Sequence, residues 1–165
     1  MEELLDTVFL GNTLLQWAIA VGIIFGAIII IKILKVVIIK RLKKWALSTK
    51  TSWDNFIIEI VEKSVIPLLY ISSFYFALLT LEFSETVTKV IHVAYMFSFT
   101  FFVLKIISAA FKKFVYSFIS REENSEMKEK QAAGLIIIVN IIIWICGIIF
   151  LIDNMGYDVT TLIAG

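Results

Sequence analysis

The chain has 165 residues, of which 60% are apolar and 18% charged, and its mean hydropathy is +0.95. Soluble domains carry about 45–50% apolar and about 25% charged residues, so this composition excludes a single soluble domain and indicates an integral membrane protein. The 15 basic and 14 acidic residues leave no basic excess for a nucleic-acid partner, and the single cysteine, Cys146, excludes an intrachain disulfide framework.

The first transmembrane helix is predicted within residues 1–39, because residues 7–31 carry no charged side chain. A bilayer core requires about 20 mostly apolar residues per helix. Glu2, Glu3 and Asp6 precede the apolar run, whereas a cleavable signal peptide opens with positive charge. We therefore expect this helix to remain in the protein as an anchor.

Residues 40–63 are too charged to span a bilayer and too many for a tight turn. Apolar residues recur at helical spacing from Trp53 through Phe56, with most charged side chains on the other face. We predict a cytoplasmic amphipathic helix in the membrane interface, with Trp45 and Trp53 at headgroup depth. A helix packed on another protein domain has the same pattern and stays the alternative.

Three further transmembrane helices are predicted, at residues 64–83, 87–119 and 132–153. The third span continues into the cytoplasm, and a mixed-charge cytoplasmic turn at residues 120–131 leads to the fourth. Lys105 interrupts the third span, where its stem can lie along lipid while the ammonium group reaches the headgroups. The predicted fold class is an all-α membrane protein with four transmembrane helices and one interfacial helix.

The basic residues predict the orientation of the chain. Every lysine and arginine except Lys89 lies in residues 32–63, from the end of the first apolar run onward, or in residues 105–130, from the lower part of the third span onward. The positive-inside rule then places the N-terminus outside and both lysine-rich loops in the cytoplasm.

Two features inside the spans are candidates for helix packing. Gly22 and Gly26 form a GxxxG pair that permits close approach of another helix, although such a pair in a long apolar run also occurs without a role. Asn140 lies in the fourth span, where an unpaired amide is costly, so we expect a hydrogen bond to a neighbouring helix. A role for Asn140 in transport is the alternative.

No enzyme-like constellation is visible in the chain. A Ser–His–Asp set, a phosphate-binding loop and paired intramembrane carboxylates are all missing from the sequence. His92 is the only histidine and has no Cys, Asp or Glu at metal-ligand spacing, so we interpret it as a polar residue at headgroup depth. We expect neither enzymatic activity, nor a metal, nor another cofactor.

The stretch from residue 154 to residue 165 follows the last span and begins with a short outer turn. Gly156 is suited to the bend, and Asp158 is placed to cap a new helix. Ala164 and Gly165 would open a small-residue face for tight helix packing.

From Asp153 the chain reads Asp-Asn-Met-Gly-Tyr-Asp-Val-Thr-Thr-Leu-Ile-Ala-Gly. This run resembles the segment that leads into the pore helix in the small-conductance mechanosensitive channel (MscS-like) family. A Lys-Thr-x-Trp-Asp run at residues 50–54 resembles the segment before the sensor helices in members with extra spans. The resemblance implies that residues 154–165 contain the start of a fifth helix, the pore helix. It also implies that the third and fourth spans are a lipid-facing sensor pair, with two additional outer helices before them.

The resemblance implies gating by membrane tension, with lipid contacts on the sensor helices biasing the equilibrium. The residues expected to couple to lipid are Trp45, Trp53, Phe56, Phe111, Phe114 and Phe118. The residues expected to link the sensor to the pore helix are Asp153, Gly156, Tyr157, Asp158, Thr161, Ala164 and Gly165.

The leading hypothesis is therefore the tension-sensing transmembrane region of an MscS-like channel in a prokaryotic cell membrane. Without the family's pore helix and cytoplasmic vestibule, this stretch alone is not expected to conduct ions. Its expected partners are membrane lipids and further copies of the chain, seven in all if the pore region is present. The alternative is a non-conducting scaffold or accessory subunit that binds partners through its helices.

Overall fold

The computed structural model describes residues 6–49, 52–119 and 125–156. These residues form a short two-stranded hairpin followed by helices. The elements are β1 Val8–Phe9, β2 Asn12–Thr13, α1 Leu14–Thr49, α2 Ser52–Ile60, a π-helical turn Val61–Val65, α3 Ile66–Leu78, α4 Glu85–Ile119 and α5 Ser125–Asn154. The predicted helical membrane architecture is confirmed at this level, since three helices are long and apolar enough to cross a membrane.

The N-terminal hairpin is a correction to the sequence prediction, which assigned residues 1–39 to one membrane helix. Val8 pairs with Thr13 and Phe9 with Asn12 in an antiparallel ladder. The two loop residues, Leu10 and Gly11, have φ angles of 52° and 82°, as in the type I′ turns whose twist suits hairpins. Leucine at positive φ is strained, because its Cβ crowds the backbone there.

Helix α1 begins after the hairpin with a reciprocal cap. The backbone N–H of Gln16 donates to Thr13 Oγ1 at 3.2 Å, and the Thr13 N–H donates to Gln16 Oε1 at 2.7 Å. This capping box satisfies two backbone donors that the first turn of a helix leaves unpaired. The helix therefore starts at Leu14, the eighth residue of the uncharged run.

Helix α1 also continues to Thr49, ten residues beyond the predicted boundary at residue 39. The stretch after that boundary is rich in lysine, leucine and alanine, which favour helix, and contains neither glycine nor proline. The drop in hydropathy at Lys40 therefore does not end the helix. The predicted linker of residues 40–63 is divided between the end of α1, helix α2 and the start of the π-helical turn.

The chain then turns back, and both α2 and α3 pack against α1. Between them the backbone widens into a π-helical turn, in which the Ile66 N–H donates to the Val61 carbonyl. Pro67 lies in the first turn of α3 and has no N–H to continue an α-helical ladder, which suits it to this junction. The predicted second span at residues 64–83 thus contains a 13-residue α-helix, after which residues 79–84 form an irregular loop.

The chain divides into two compact units, Met1–Ser98 and Phe99–Gly165, so the boundary falls within α4. In the first unit, the hairpin, α1, α2 and α3 are joined by the start of α4. In the second, the remainder of α4 meets α5.

Most of the apolar surface of the long helices is not covered by the chain itself. Only 11% of the most apolar window of α1 is buried, as is 11% in α4 and 6% in α5. Contiguous apolar surface of this extent does not occur on soluble monomers. It requires lipid or neighbouring helices, which places the chain in a membrane as a multi-pass protein.

The hairpin is held to the α3–α4 loop by Asn12, whose side chain is 1% exposed. Asn12 Nδ2 donates to the Glu82 carbonyl at 2.8 Å, and the Glu82 N–H donates to Asn12 Oδ1 at 2.6 Å.

We predict that Asn12→Ala lowers the free energy of unfolding by about 1–3 kcal/mol, because two backbone groups lose their partner. Thermal unfolding in detergent, followed by circular dichroism, measures the change.

The matched control is Asn55→Ala, since Asn55 is exposed on α2. Its unfolding midpoint should stay at the wild-type value. Equal midpoints for the two variants would show that the Asn12 contact does not stabilise the fold.

Candidate functional site

The α4–α5 pair of the second unit is built around a close crossing at Gly147. A Cβ atom added to Gly147 would overlap Leu104 Cδ1 and lie 2.8 Å from Leu104 Cγ. Leu104 is 7% exposed, so its side chain fills the space that the glycine leaves. One turn away, the rings of Phe101 and Trp144 meet edge to face with centroids 5.6 Å apart. The sequence reasoning missed Gly147, whose only signal is a glycine in the middle of an apolar helix.

Three polar atoms of this pair are buried without a hydrogen-bond partner: Thr100 Oγ1, Ser108 Oγ and Asn140 Oδ1. Thr100 and Ser108 lie one turn before and one turn after Leu104, on the same face of α4. The predicted partner of Asn140 on a neighbouring helix is not found among the described residues, and the pairing stays a prediction. The α4–α5 contacts described above, Gly147 with Leu104 and Phe101 with Trp144, are apolar.

The phenylalanine face of α4 consists of Phe111, Phe114 and Phe118, the three residues of this helix predicted to couple to lipid. The other described residues leave most of it uncovered. Phe114 and Phe118 are 60% and 67% exposed, whereas Phe111 is half-buried. On the same helix, Lys105 Nζ lies 6.0 Å from the centre of the Phe102 ring, at the limit of a cation–π contact. Two phenylalanine rings one helical turn apart thus face outward from the second unit.

The predicted lipid-coupling residues of the linker are placed on two helices. Trp45 is exposed near the end of α1, while Trp53 and Phe56 contact each other edge to face on α2, with ring centroids 5.8 Å apart. Asp54 of α2 is buried, with 6% of its surface exposed. Helix α2 packs against α1 of the same chain. Both the interfacial placement and the alternative of packing on another domain stay predictions.

An ion pair marks the solvent side of this segment. Lys63 Nζ donates to Glu59 Oε1 at 2.7 Å, one helical turn apart. The hydrogen bond from Lys63, followed by its charge, lowers the pKa of the Glu59 carboxyl, and the reverse effects raise the pKa of Lys63. Both side chains are well exposed, so the pair adds little to stability.

The predicted link to the pore helix is described only in part. Asp153 is exposed in the last turn of α5, and its carbonyl accepts from the Gly156 N–H at 2.9 Å. Gly156 has φ +84°, the left-handed conformation that commonly ends helices. The turn after α5, which the sequence analysis predicted to be an outer turn, is therefore a glycine-terminated helix end. The remaining link residues, Tyr157, Asp158, Thr161, Ala164 and Gly165, lie outside the described residues.

The predicted GxxxG pair faces open space within this chain. A Cβ atom added to Gly22 or to Gly26 would meet nothing within 4 Å. The two glycines therefore do not serve helix packing inside the described chain, and close approach of another chain stays a prediction.

His92 belongs to an aromatic cluster between α3 and α4 that the sequence reasoning also missed. The Tyr75 hydroxyl and His92 Nδ1 are hydrogen-bonded at 2.9 Å. The Tyr75 ring stacks on Tyr95 with centroids 4.0 Å apart and planes 5° from parallel. The Tyr95 hydroxyl in turn lies 3.2 Å from Ser72 Oγ. Spacing within one helix cannot reveal these pairs, because the partners are on different helices.

No metal centre is formed by the part of the chain that the structure describes, since three His, Cys, Asp or Glu side chains nowhere come together there. The chemistry that the described residues offer is packing, aromatic contact and the display of apolar surface.

Comparison with known proteins gives two similar channels, both from Methanocaldococcus jannaschii. The chain is 31% identical over 159 residues to the small-conductance mechanosensitive channel MscMJ, an alignment that covers 94% of this chain and 45% of the relative. It is 20% identical over 169 residues to the large-conductance mechanosensitive channel MscMJLR, covering 100% of this chain and 47% of the relative. The chain thus spans about half the length of the relatives it matches. No protein-family profile and no solved structure matches it.

The Gly147 crossing generates a test of α4–α5 packing. We predict that Gly147→Ala lowers the free energy of unfolding by about 1–3 kcal/mol, because the added methyl group displaces the buried Leu104 side chain. Thermal unfolding in detergent measures the effect. The matched control is Gly134→Ala, since Gly134 lies on the same helix with nothing within 4 Å of an added Cβ.

The pair Gly147→Ala and Leu104→Ala separates packing from helix propensity. Removing the Leu104 side chain makes room for the new methyl group. The double variant should therefore lose less stability than the sum of the losses in the two single variants. Additive losses would mean that the two side chains do not compete for the same space.

Proposed function

Since this chain is a homologue of two mechanosensitive channels, which supports the MscS-like family, we propose that it forms the tension-sensing transmembrane region of such a channel. The observation that carries the proposal is the uncovered apolar surface of the long helices. It includes Phe114 and Phe118, which expose more than half of their side-chain surface. Lipid in contact with this surface would transmit a change in bilayer tension directly to the helices.

The proposed mechanism is a shift in a two-state equilibrium. Tension favours the state with the larger area in the membrane plane, in proportion to the difference in area between the states. The α4–α5 pair is suited to such a change because its contact is apolar and is centred on a glycine.

The proposed topology has four spans, with the N-terminus outside a prokaryotic cell membrane. The helix α3 contributes the second span together with the π-helical turn and the loop that follows it. The support is the distribution of basic residues, since all but Lys89 lie in residues 32–63 and 105–130, which hold the cytoplasmic parts of the predicted arrangement. In the same arrangement α2 lies beside the end of α1 at the cytoplasmic face, with Trp45 and Trp53 at headgroup depth.

The proposed output is a pore helix entered through residues 154–165. Asp153 and Gly156 would pass movement of α5 to that helix, together with Tyr157, Asp158 and Thr161. Ala164 and Gly165 would begin its small-residue face. The assembly proposed for the complete channel is a homo-oligomer of seven subunits, by resemblance to the family.

The first test removes lipid contact from α4. In the complete native gene product reconstituted in liposomes, Phe114→Ala with Phe118→Ala should raise the tension at half-maximal opening, because less apolar surface follows the lipid as the bilayer thins and expands. Patch recording under graded suction measures that tension. The matched control is Phe114→Leu with Phe118→Leu, which keeps most of the apolar area and should open near the wild-type tension.

Two outcomes would count against the proposal. An unchanged threshold in the double alanine variant would remove the phenylalanine face from tension sensing. Pressure-independent silence of the wild-type protein, with good expression in the membrane, would instead support the non-conducting scaffold.

The second test concerns the link at Gly156. Because its φ is +84°, Gly156→Ala is strained by about 1 kcal/mol or more. We expect this strain to change the opening tension while the single-channel conductance stays at the wild-type value. Gly134→Ala on the same helix is the control, and equal thresholds for the two variants would exclude a role of Gly156 in transmission.

A further inference from the structure

Two cavities in the first unit lie beside the N-terminal part of α4, and Tyr75 lines both of them. One has a volume of about 640 Å³ and is lined by polar and charged side chains from the first turns of α4, with Phe83 from the preceding loop. The other has a volume of about 270 Å³ and lies between α3 and α4. Its lining includes the apolar side chains Ile71, Phe74, Leu78, Val90, Ile91 and Ala94. The walls of both cavities are mostly apolar, and the first, here the polar cavity, adds charged side chains to its wall. The two together suit a ligand with a charged end and a hydrocarbon end.

The polar cavity offers charges of both signs. Glu85, Lys89 and His92 lie on one face of α4 at successive turns and all line the cavity. In the described residues Glu85 and Lys89 do not form an ion pair with each other. Neither charge is therefore neutralised by direct contact with the other. Lys89 is also the only basic residue on the side predicted to face outside, since every other lysine and arginine lies in residues 32–63 or 105–130.

His92 is held in position for a second hydrogen bond. Its Nδ1 is bonded to the Tyr75 hydroxyl at 2.9 Å. When tyrosine donates this bond, the neutral ring carries its proton on Nε2, which is then the donor that remains. Together with the ammonium group of Lys89, this N–H makes a pair of donors suited to phosphate oxygens.

The hydroxyl groups around the apolar cavity are already satisfied. The Tyr75 hydroxyl is bonded to His92, the Tyr95 hydroxyl to Ser72, and the Ser98 hydroxyl donates to the Ala94 carbonyl at 2.9 Å. A hydrocarbon chain in this cavity would therefore leave no hydroxyl without a partner, and it would gain contact with apolar walls.

The loop that walls the polar cavity is fixed before any ligand arrives. Phe83 packs edge to face on Trp17, with ring centroids 6.4 Å apart. Its neighbour Glu82 is bound through both backbone groups to Asn12. A preformed wall lowers the ordering cost of binding.

We propose that the two cavities form one binding site for a phospholipid with an amine-bearing headgroup. The phosphate accepts hydrogen bonds from Lys89 and His92, the ammonium group pairs with Glu85, and one acyl chain follows the apolar cavity between α3 and α4. This assignment goes beyond tension sensing, since it requires only that these helices lie in a membrane. A lipid held here would fill the gap between α3 and α4 and fix their spacing.

The test is native mass spectrometry of the full chain in detergent, titrated with three lipids that have identical palmitoyl and oleoyl chains. We expect saturable binding of one phosphatidylethanolamine, weaker binding of phosphatidylglycerol and none of diacylglycerol. Lys89→Gln should weaken phosphatidylethanolamine binding about tenfold, the expected loss for one charge-assisted hydrogen bond. Glu85→Gln should remove the preference for the ethanolamine headgroup over glycerol.

The matched control is Lys112→Gln, which removes an exposed lysine near the other end of α4. Its affinity should equal that of the wild type. Ala94→Leu fills the apolar cavity and should weaken binding of both phospholipids, which tests the acyl-chain site separately.

Equal affinities of the Lys89→Gln and Lys112→Gln variants would overturn the phosphate site. Equal wild-type affinities for phosphatidylethanolamine and phosphatidylglycerol would overturn the assignment of the ammonium group to Glu85. Displacement of bound lipid by millimolar inorganic phosphate would show that a free anion, not a lipid, is the occupant. None of these readouts depends on channel current, so failure of this proposal is distinguishable from failure of the tension-sensing one.

Discussion

The first unit depends on one buried amide. Asn12 presents a donor and an acceptor to the backbone of Glu82, as a neighbouring strand would, and its side chain is almost fully enclosed. This contact links residues 70 positions apart in the chain. It fixes the loop between α3 and α4, and so the point at which α4 begins. The stack of Tyr75 on Tyr95 and the Tyr75–His92 hydrogen bond both require that starting point.

The remaining surface is organised by the bilayer. In lipid, an unpaired backbone group costs several kcal/mol, so long uninterrupted helices are favoured and irregular backbone is confined to places where protein or water can pair it. The loop at residues 79–84 satisfies this condition through Asn12 and through its own turn hydrogen bonds. The π-helical turn before Pro67 does so by shifting its hydrogen bonds by one residue. Both irregular segments flank α3, which explains why that helix is the shortest of the four predicted spans.

Hydropathy located the long helices, because about 20 apolar residues without charge have few other structural solutions. It located their ends less well. Residues 7–13 are as uncharged as the helix after them, and a Leu-Gly turn lacks the Asn-Gly or Asp-Gly signal of a type I′ hairpin. At the other end of α1, Lys40 marks where the chain becomes polar, yet lysine is a good helix former and the helix continues.

The sequence indicated some of the residues of the candidate site, but it did not indicate which residues of different helices contact each other. The family resemblance indicated Phe111, Phe114 and Phe118 of α4 as lipid-coupling residues. Phe114 and Phe118 are exposed and Phe111 is half-buried, and their coupling to lipid stays a prediction. The GxxxG motif predicted close helix packing at Gly22 and Gly26. Within the described residues, the glycine in close contact with a side chain of another helix is Gly147, which belongs to no such motif. Which glycine meets a neighbouring side chain depends on how two helices cross. That crossing is set by the packing of many residues and has no signature in one helix.

The unpaired oxygens of the second unit bear on how a sensor of this kind works. Thr100 and Ser108 lie one turn either side of Leu104 and are buried without partners, as is the side-chain oxygen of Asn140. Each such group costs about 1–3 kcal/mol relative to a paired one, so these three oxygens do not help to hold α4 and α5 in this arrangement. A displacement that pairs even one oxygen recovers part of that free energy, which offsets the weaker apolar packing at Gly147 after the helices have moved. Two arrangements of similar free energy are what a small bias from lipid can shift, whereas a fully satisfied interface would resist it. The same unpaired groups that make the pair weak as a stabilising contact therefore suit it to the sensing role proposed for it.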